Sequence, residues 1–453
     1  MRTPLLVLAK TRHRLCGPGP APKLLLVLAS LLLTGEAAGL AAQFRHHLPA
    51  FVAVALLQGA VWVLAALVVT RPGCRGALPV ILAMAVLFRL LALSAPVFLS
   101  DDINRYVWDG RVQAAGINPY RYVPNDPALA ALRDETIFPE INRGTYARTI
   151  YPPVAQMLFL IANFCGGTVL AMKLVLVAME AFGIAVLVSV LRVAGAPREH
   201  ILLYAWHPLP VWEIAGSGHI DAAVVMFVSL ALLAAAKTRQ TWSGAALGAA
   251  TLVKFFPAVL APALWRPTRS NHGDWRWLAA FIAVTVAAYL PYVGVGPRVL
   301  GFLPGYVAEE NLASGSGFWL LDIARRVLPV PLAAYIAIAA AVMAGFTTGA
   351  LRRRSEVRST LQWAMALATA TLFFASPHYP WYFVWLVALL TIAPWWPAWW
   401  LTVAAFLLYC DAHTGAIPLW IGFTLYGGFV ILCGLELVRW SYVTANGGVK
   451  HGG

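Results

Sequence analysis

The chain has 453 residues, of which 60% are hydrophobic and only 11% charged, with a mean hydropathy of +0.74. A soluble domain carries roughly 25% charged residues, so this composition excludes a water-covered globular surface. The formal net charge of +14 does not point to nucleic acid, because the basic residues sit in short clusters between apolar runs and no aromatic–basic module accompanies them.

A helix needs ~20 mostly apolar residues to cross the hydrocarbon core of a bilayer. In chain order, residues 24–42, 50–69, 77–95, 169–190, 331–350 and 417–438 meet that demand. The runs are continuous instead of alternating, which selects a helix bundle over a barrel. The fold expected is an all-α polytopic membrane protein of about 11–13 spanning or half-spanning helices. Basic residues cluster at Lys10, Arg12 and Arg14; Arg71 and Arg75; Lys237 and Arg239; Arg266, Arg269 and Arg276; and Arg352, Arg353, Arg354 and Arg358. By the positive-inside rule these mark the cytoplasmic side, with a retained first helix after a cytoplasmic N-terminus. Cys16, Cys74, Cys165, Cys410 and Cys433 show no paired spacing, so neither a disulfide framework nor a cysteine metal site is expected.

Three helices in, the chain reaches its one long polar stretch, 96–150, which this topology places outside the cell. It holds seven acidic residues (Asp101, Asp102, Asp109, Asp126, Asp134, Glu135, Glu140) and six arginines (Arg105, Arg111, Arg121, Arg133, Arg143, Arg148), a quarter of all charges in the chain. Loops longer than ~12–15 residues are usually functional or disordered, and the aromatics and turn residues here argue for order. Ser100-Asp101-Asp102-Ile103-Asn104-Arg105-Tyr106-Val107-Trp108-Asp109 reads as a helix capped by Ser100. Its spacing puts Asp102, Arg105, Tyr106 and Asp109 on one face. The two aspartates complement the helix dipole, but their place at a membrane boundary favours a functional role. Gly116-Ile117-Asn118-Pro119-Tyr120 ends that helix; Arg121 and Arg148 suit either a phosphate or a surface ion pair.

Further on, the stretches 150–166 and 169–194 cannot both cross the membrane fully without placing Arg192 and Arg198 outside, so one is expected to be half-spanning. The stretch 242–264 is interrupted at Lys254 and Pro257. Broken helices are tolerated where they line a protein cavity, so a cavity opening on the outer side is expected. His207-Pro208-Leu209, Glu213 and Gly218-His219-Ile220-Asp221 place four ionisable groups in an otherwise apolar stretch, as a polar bend lining that cavity or, with less support from spacing, as a metal site. Lys254 either snorkels or binds an anion. In Ser376-Pro377-His378-Tyr379-Pro380-Trp381-Tyr382 the aromatics suit interface anchors, and His378 is a candidate donor to a phosphate or hydroxyl.

Taken together, these motifs resemble the C-type glycosyltransferase (GT-C) superfamily, and within it bacterial polyprenol-phosphate-mannose-dependent mannosyltransferases. The matching positions are Asp102 with Asp101 beside it, Tyr106, Gly116 with Asn118-Pro119-Tyr120, Pro208-Leu209 through Glu213 and Gly218-His219 to Asp221, Lys254 before Pro257, and Pro380-Trp381-Tyr382, over roughly residues 77–400. The resemblance implies a donor in an outer-facing cavity and a carboxylate at the Asp102 position as general base, with Asp101 able to share the role. It implies transfer of a hexose, mannose by resemblance, from a polyprenyl-phosphate sugar to a glycolipid or glycan acceptor. An inverting transfer of this kind expels a phosphate, so it needs positive charge and one base. Lys254, Arg105, Arg121 and His378 are the candidate phosphate ligands, and Asp109, Tyr106, Glu213, His219 and Asp221 the candidate substrate contacts. No cofactor is required; a divalent ion held by Asp101 and Asp102 stays open. The competing class is a flippase or transporter of lipid-linked sugar, which also uses broken helices but should show inverted repeats, and none is visible. The organisation expected is an N-terminal segment with two extra helices (1–76), a catalytic module (77–265), further membrane helices completing the cavity (266–440) and a polar tail (441–453). High Ala and Arg usage suits a bacterial inner membrane.

Overall fold

The computed structural model describes residues 21–71, 74, 76–265, 274–352, 356–411 and 417–447. Lys10, Arg12, Arg14, Cys16, Arg75, Arg266, Arg269, Arg353, Arg354 and the last six residues of the tail lie outside the described residues.

Among the described residues the chain is helical, with no strand. Six helices among the described residues are long and apolar enough to cross a membrane: Pro22–Phe44, Leu48–Val69, Val169–Val193, Trp275–Glu309, Leu332–Arg352 and Leu419–Ser441. Five shorter apolar helical stretches accompany them, at Leu78–Ala92, Pro153–Phe164, Asp221–Ala236, Pro380–Leu390 and Trp396–Cys410. Helix lengths follow local chemistry. In α1 (Ala21–Phe44) the one carboxylate, Glu36, is buried. Helix α2 (Leu48–Val69) starts where Pro49 fits the first turn and His47 Nδ1 accepts from the Ala50 N–H at 3.1 Å. Helix α3 (Leu78–Ala92) is followed by the polar stretch, which folds as α4 (Asp102–Ala114) and two short pieces of 3-10 helix at Pro127–Leu132 and Phe138–Glu140.

Helix α5 (Pro153–Phe164) has 12 residues, about 18 Å of rise, well short of the ~30 Å hydrocarbon core. By length it is the member of the pair too short to cross fully, which is what the charge bookkeeping asked of one of them. Its partner α6 (Val169–Val193), capped by Thr168, has 25 residues. Helix α4 lies against α5, and Gly110 sets that crossing: a Cβ there would stand 2.3 Å from the Phe159 carbonyl oxygen. The segment from Ile201 to Val225 is buried throughout and forms the centre of the bundle. It ends in α7 (Asp221–Ala236), which packs along α6. Helix α8 (Gln240–Thr251) stops three residues before Lys254, and the chain resumes as a 3-10 turn at Phe256–Leu260. That is the break expected where a lysine and Pro257 interrupt an apolar run.

Two charged groups sit deep among the long helices as partners. Arg89 of α3 donates through Nε and Nη2 to Glu180 of α6, at 3.1 and 2.8 Å, and the Tyr204 hydroxyl donates to the same carboxylate at 2.9 Å. A buried charge is tolerable only when paired and hydrogen-bonded, and this pair locks α3 to α6.

Candidate active site

Helix α4 begins at a cavity. Asp101 occupies the cap position in place of Ser100, whose Oγ nevertheless accepts from the Asp102 N–H at 3.3 Å. The difference arises because the Asp101 carboxylate turns away from the helix end towards Asn142. Asn142 Nδ2 donates to Asp101 Oδ1 at 2.6 Å and to Asp102 Oδ1 at 3.2 Å, tying both acids to the far end of the loop. The protein mass around Asp101 raises its carboxyl above the usual range, with the neighbouring Asp102 charge adding to this and the Asn142 bond opposing it.

The single face expected for α4 divides in two. Asp102 and Arg105 line the cavity. Tyr106 turns inward, stacked on Phe159 at 4.6 Å and edge-on to Tyr151 at 4.9 Å. Asp109 is buried as the anchor of Arg105, accepting from its Nε at 2.9 Å and from Gln156 Nε2 at 2.9 Å. Arg105 Nη1 also donates to the Ala147 carbonyl at 3.2 Å, so the guanidinium at the cavity wall is held from behind.

The cavity has a volume of about 720 Å³. Four cationic side chains reach its lining: Arg105, Arg143, Arg148 and Lys254. Lys254 comes from the broken segment after α8; its Nζ stands 2.5 Å from Asp221 Oδ2 and 5.2 Å from the Tyr382 ring centroid. Arg143 adopts a left-handed backbone conformation, φ +54°, and its Nε donates to Glu309 Oε2 at 2.6 Å. The opposite wall is aromatic: Tyr306 and Tyr382 share a hydroxyl–hydroxyl hydrogen bond of 2.7 Å, and Tyr379 stacks on Trp381 at 4.6 Å.

Beneath Asp102 lies the stretch from His207 to Asp221. A turn of π-helix at Val211–Gly216 carries Glu213 inward; such bulges are frequent at functional sites. Gly218, at φ +77° and with Ile103 Cδ1 2.3 Å from where a Cβ would stand, makes the reversal that only glycine fits. His219 follows, 1% exposed, with Nδ1 4.0 Å from Asp102 Oδ2 and Nε2 3.4 Å from Glu213 Oε2. The Tyr409 hydroxyl lies 2.8 and 2.9 Å from the two Glu213 oxygens. His207 belongs elsewhere: it sits on Trp62 and bonds Thr402 at 3.0 Å, a buried structural role.

Of the residues singled out in the sequence, Asp101, Asp102, Arg105 and Lys254 line the cavity, while Glu213, His219 and Asp221 stand one layer behind it. His378 Nε2 faces the Gly317 carbonyl at 2.9 Å and so must donate, and its Nδ1 lies 3.3 Å from Glu310, the residue that reaches the lining. Arg121 is exposed and stands outside the lining; its carbonyl accepts from Arg148 Nε at 3.2 Å. Asn142, Arg143, Tyr306, Glu310 and Tyr409 complete the site without having been singled out. The Asn142-Arg143 pair, in the stretch expected outside, and the adjacent acids Glu309-Glu310 were the available signals. Among the described residues no three His, Cys, Asp or Glu side chains group to hold a metal ion.

An all-helical membrane bundle that gathers two adjacent aspartates, four cations and an aromatic wall around one cavity agrees with the resemblance to glycosyltransferases of the GT-C kind. The chain belongs to the alpha-(1->6)-mannopyranosyltransferase family: residues 24–267, more than half of its 453, match the model of that family's N-terminal domain. Neither the curated proteins nor the solved structures compared with it gave a match. It is therefore a multi-pass membrane mannosyltransferase, acting between a sugar donor and a glycan acceptor. The matched region contains Asp102, His219, Asp221 and Lys254; the aromatic wall and Tyr409 lie beyond it.

Proposed function

We propose that the protein transfers mannose from a polyprenyl-phosphate donor to a hydroxyl of a glycolipid or glycan acceptor at the extracytoplasmic face, with inversion and with Asp102 as general base. The observation that carries this reading is the placement of Asp102, one-fifth exposed, in a cavity that it shares with four cationic side chains, Arg105, Arg143, Arg148 and Lys254. A phosphate leaves as an anion, so it calls for positive charge, not a proton. Lys254 and Arg105, with Arg143 and Arg148, supply that charge. The attacking hydroxyl loses a proton, and Asp102 is the partly open carboxylate that can take it. Asp101, drawn to Asn142 beside it, supports the charge balance of the pair. Inversion at a β-linked donor phosphate gives the α linkage in the family's name, and a 1→6 product calls for a primary hydroxyl on the acceptor.

Tyr379, Trp381 and Tyr382 offer ring faces and edges to a sugar or to the first isoprene units. The test is transfer of label from radiolabelled polyprenyl-phosphate mannose into larger glycolipid or glycan by membranes carrying the full chain. The wild type should transfer, and Asp102→Asn should lose about 10²–10⁴-fold in rate with an unchanged elution profile in detergent. A wild type inert with this donor but active with a nucleotide sugar would overturn the donor assignment. Full activity of Asp102→Asn would overturn the base.

A further inference from the structure

His219 is a buried ionisable side chain beside the reacting centre, 1% exposed, and nothing in the transfer scheme uses it. Its ring is stacked on Trp381 at 4.3 Å and 22°, and neither nitrogen has a hydrogen-bond partner among the described residues. Both nitrogens nevertheless face carboxylates, Asp102 at 4.0 Å and Glu213 at 3.4 Å. A buried imidazole with two bare nitrogens is costly unless its environment changes during the working cycle.

A proton relay through His219 requires the neutral tautomer with its proton on Nε2, on the side of the nearer carboxylate, Glu213, and the Nδ1 lone pair opposite Asp102. Asn142 donates to Asp102 Oδ1, so the oxygen facing His219, Oδ2, is the one with its lone pairs uncommitted. In that tautomer the resting His219 and Asp102 meet lone pair to lone pair. Once Asp102 carries a proton, the same contact becomes a donor facing an acceptor.

We propose that Glu213, His219 and Asp102 form a positioning relay, in which His219 receives from Asp102 the proton released by the acceptor hydroxyl. This rests on Asp102 being the base. In the transfer the acceptor O–H bond breaks, its oxygen bonds to the sugar C1, and the C1–O bond to phosphate breaks with the electron pair leaving on phosphate. The proton arrives on Asp102 Oδ2 and passes to His219 Nδ1. The imidazolium is then held between two carboxylates, with Glu213 fixed by Tyr409, until the proton returns through Asp102 to water in the cavity and the resting state is restored. The geometry parallels an acid that orients an imidazole for proton transfer, with the order of the groups reversed at the substrate end. The present 4.0 Å closes as the charge on Asp102 is neutralised; hydrogen bonds at catalytic groups are often long before substrate is bound.

The test compares His219→Phe, His219→Gln, Glu213→Gln and Asp102→Asn in the full chain, with radiolabelled polyprenyl-phosphate mannose as donor and octyl α-mannoside as acceptor. His219→Phe keeps a flat ring on Trp381 and removes both nitrogens. The relay predicts a fall in kcat of about 10²-fold for His219→Phe with donor KM unchanged, and smaller falls for His219→Gln and Glu213→Gln. Wild-type kcat in His219→Phe, while Asp102→Asn is dead, overturns the relay and leaves the base standing. A rise in donor KM at constant kcat also overturns it, making His219 a binding residue. Activity in Asp102→Asn sinks the base reading itself. Should His219→Phe fail to fold, as judged by its unfolding temperature in detergent, Tyr409→Phe decides: it frees Glu213 without touching the ring, and an unchanged kcat there overturns the relay.

Discussion

Lys254 Nζ and Asp221 Oδ2 meet at 2.5 Å, the lysine from the break after α8 and the aspartate from the first turn of α7. The aspartate is fully buried and the lysine side chain 13% exposed, on the side that faces the cavity. The pair therefore fixes a cation at the cavity wall from inside the protein. Removing one partner of a buried pair costs about 3–5 kcal/mol, because the other is left as an uncompensated charge. Asp221→Asn and Lys254→Met should each lower the unfolding temperature in detergent. The double variant Asp221→Leu/Lys254→Met should recover most of the stability and none of the donor binding. Recovery of both would show that Lys254 serves the fold alone.

The Arg89–Glu180 pair is the contrasting case. It is 5% and 0% exposed and its residues line no part of the cavity. Glu180→Gln should destabilise by about 3–5 kcal/mol, since Arg89 would then lie unpaired among apolar helices. The kcat of the folded fraction should stay at the wild-type level. Thermal unfolding followed by tryptophan fluorescence, with turnover measured on the eluted folded peak, separates the two effects. A drop in kcat at full stability would assign this pair to the reaction.

Asp134 gives the loop a pH dependence. Burial works against its ionisation, but the Arg111 hydrogen bond of 2.7 Å and the N–H groups of Phe138 and Ile137 outweigh it and hold the carboxyl far below its usual range. A depressed folded value stabilises the loop above the unfolded value of ~3.9. That contribution is lost as the pH falls from there through the folded value. With about a third of the side chain exposed, the contribution is small. Hydrogen exchange should show residues 127–140 loosening as the pH falls from about 4 to about 2 in the wild type, and no such step in Asp134→Asn. Equal protection at both pH values in the wild type would remove Asp134 from this role.

The sequence was informative wherever lipid forces a long signal. Runs such as 169–190 become Val169–Val193 almost unchanged, because a spanning helix needs a continuous apolar stretch of fixed length. The break at Lys254 was legible for the converse reason: a lysine and a proline cannot be absorbed there without a cavity. Pairings across the fold were not legible. Tyr409 reaches Glu213 over 196 residues and Arg143 reaches Glu309 over 166, and single residues so far apart carry no periodicity that links them. Tyr106 and Asp109 share a helix face with Asp102 yet turn away from the cavity, because the short α5 presses against that side of α4. Spacing gave the face and left out what would cover it.

Arg143 joins these arguments, since it lines the cavity while its Nε is bound to Glu309, and the Tyr146 hydroxyl donates to the other oxygen at 2.8 Å. Both side chains of the pair are about one-third exposed, so the pair contributes no more than ~1 kcal/mol to stability. The left-handed backbone at Arg143 costs a non-glycine residue about 1–2 kcal/mol. Arg143→Gly therefore removes the guanidinium and relieves that strain together, and the unfolding temperature should hold or rise. Donor KM should rise about tenfold, equivalent to ~1.4 kcal/mol of lost binding, with the salt dependence of KM weakened. Glu309→Gln keeps an oxygen for Nε and the cation in place, so its donor KM should stay near the wild-type value. If Arg143 were only a strut between the loop and the Leu303–Glu309 helix, the two variants would shift KM alike, and kinetics of both at two salt concentrations decide between these outcomes.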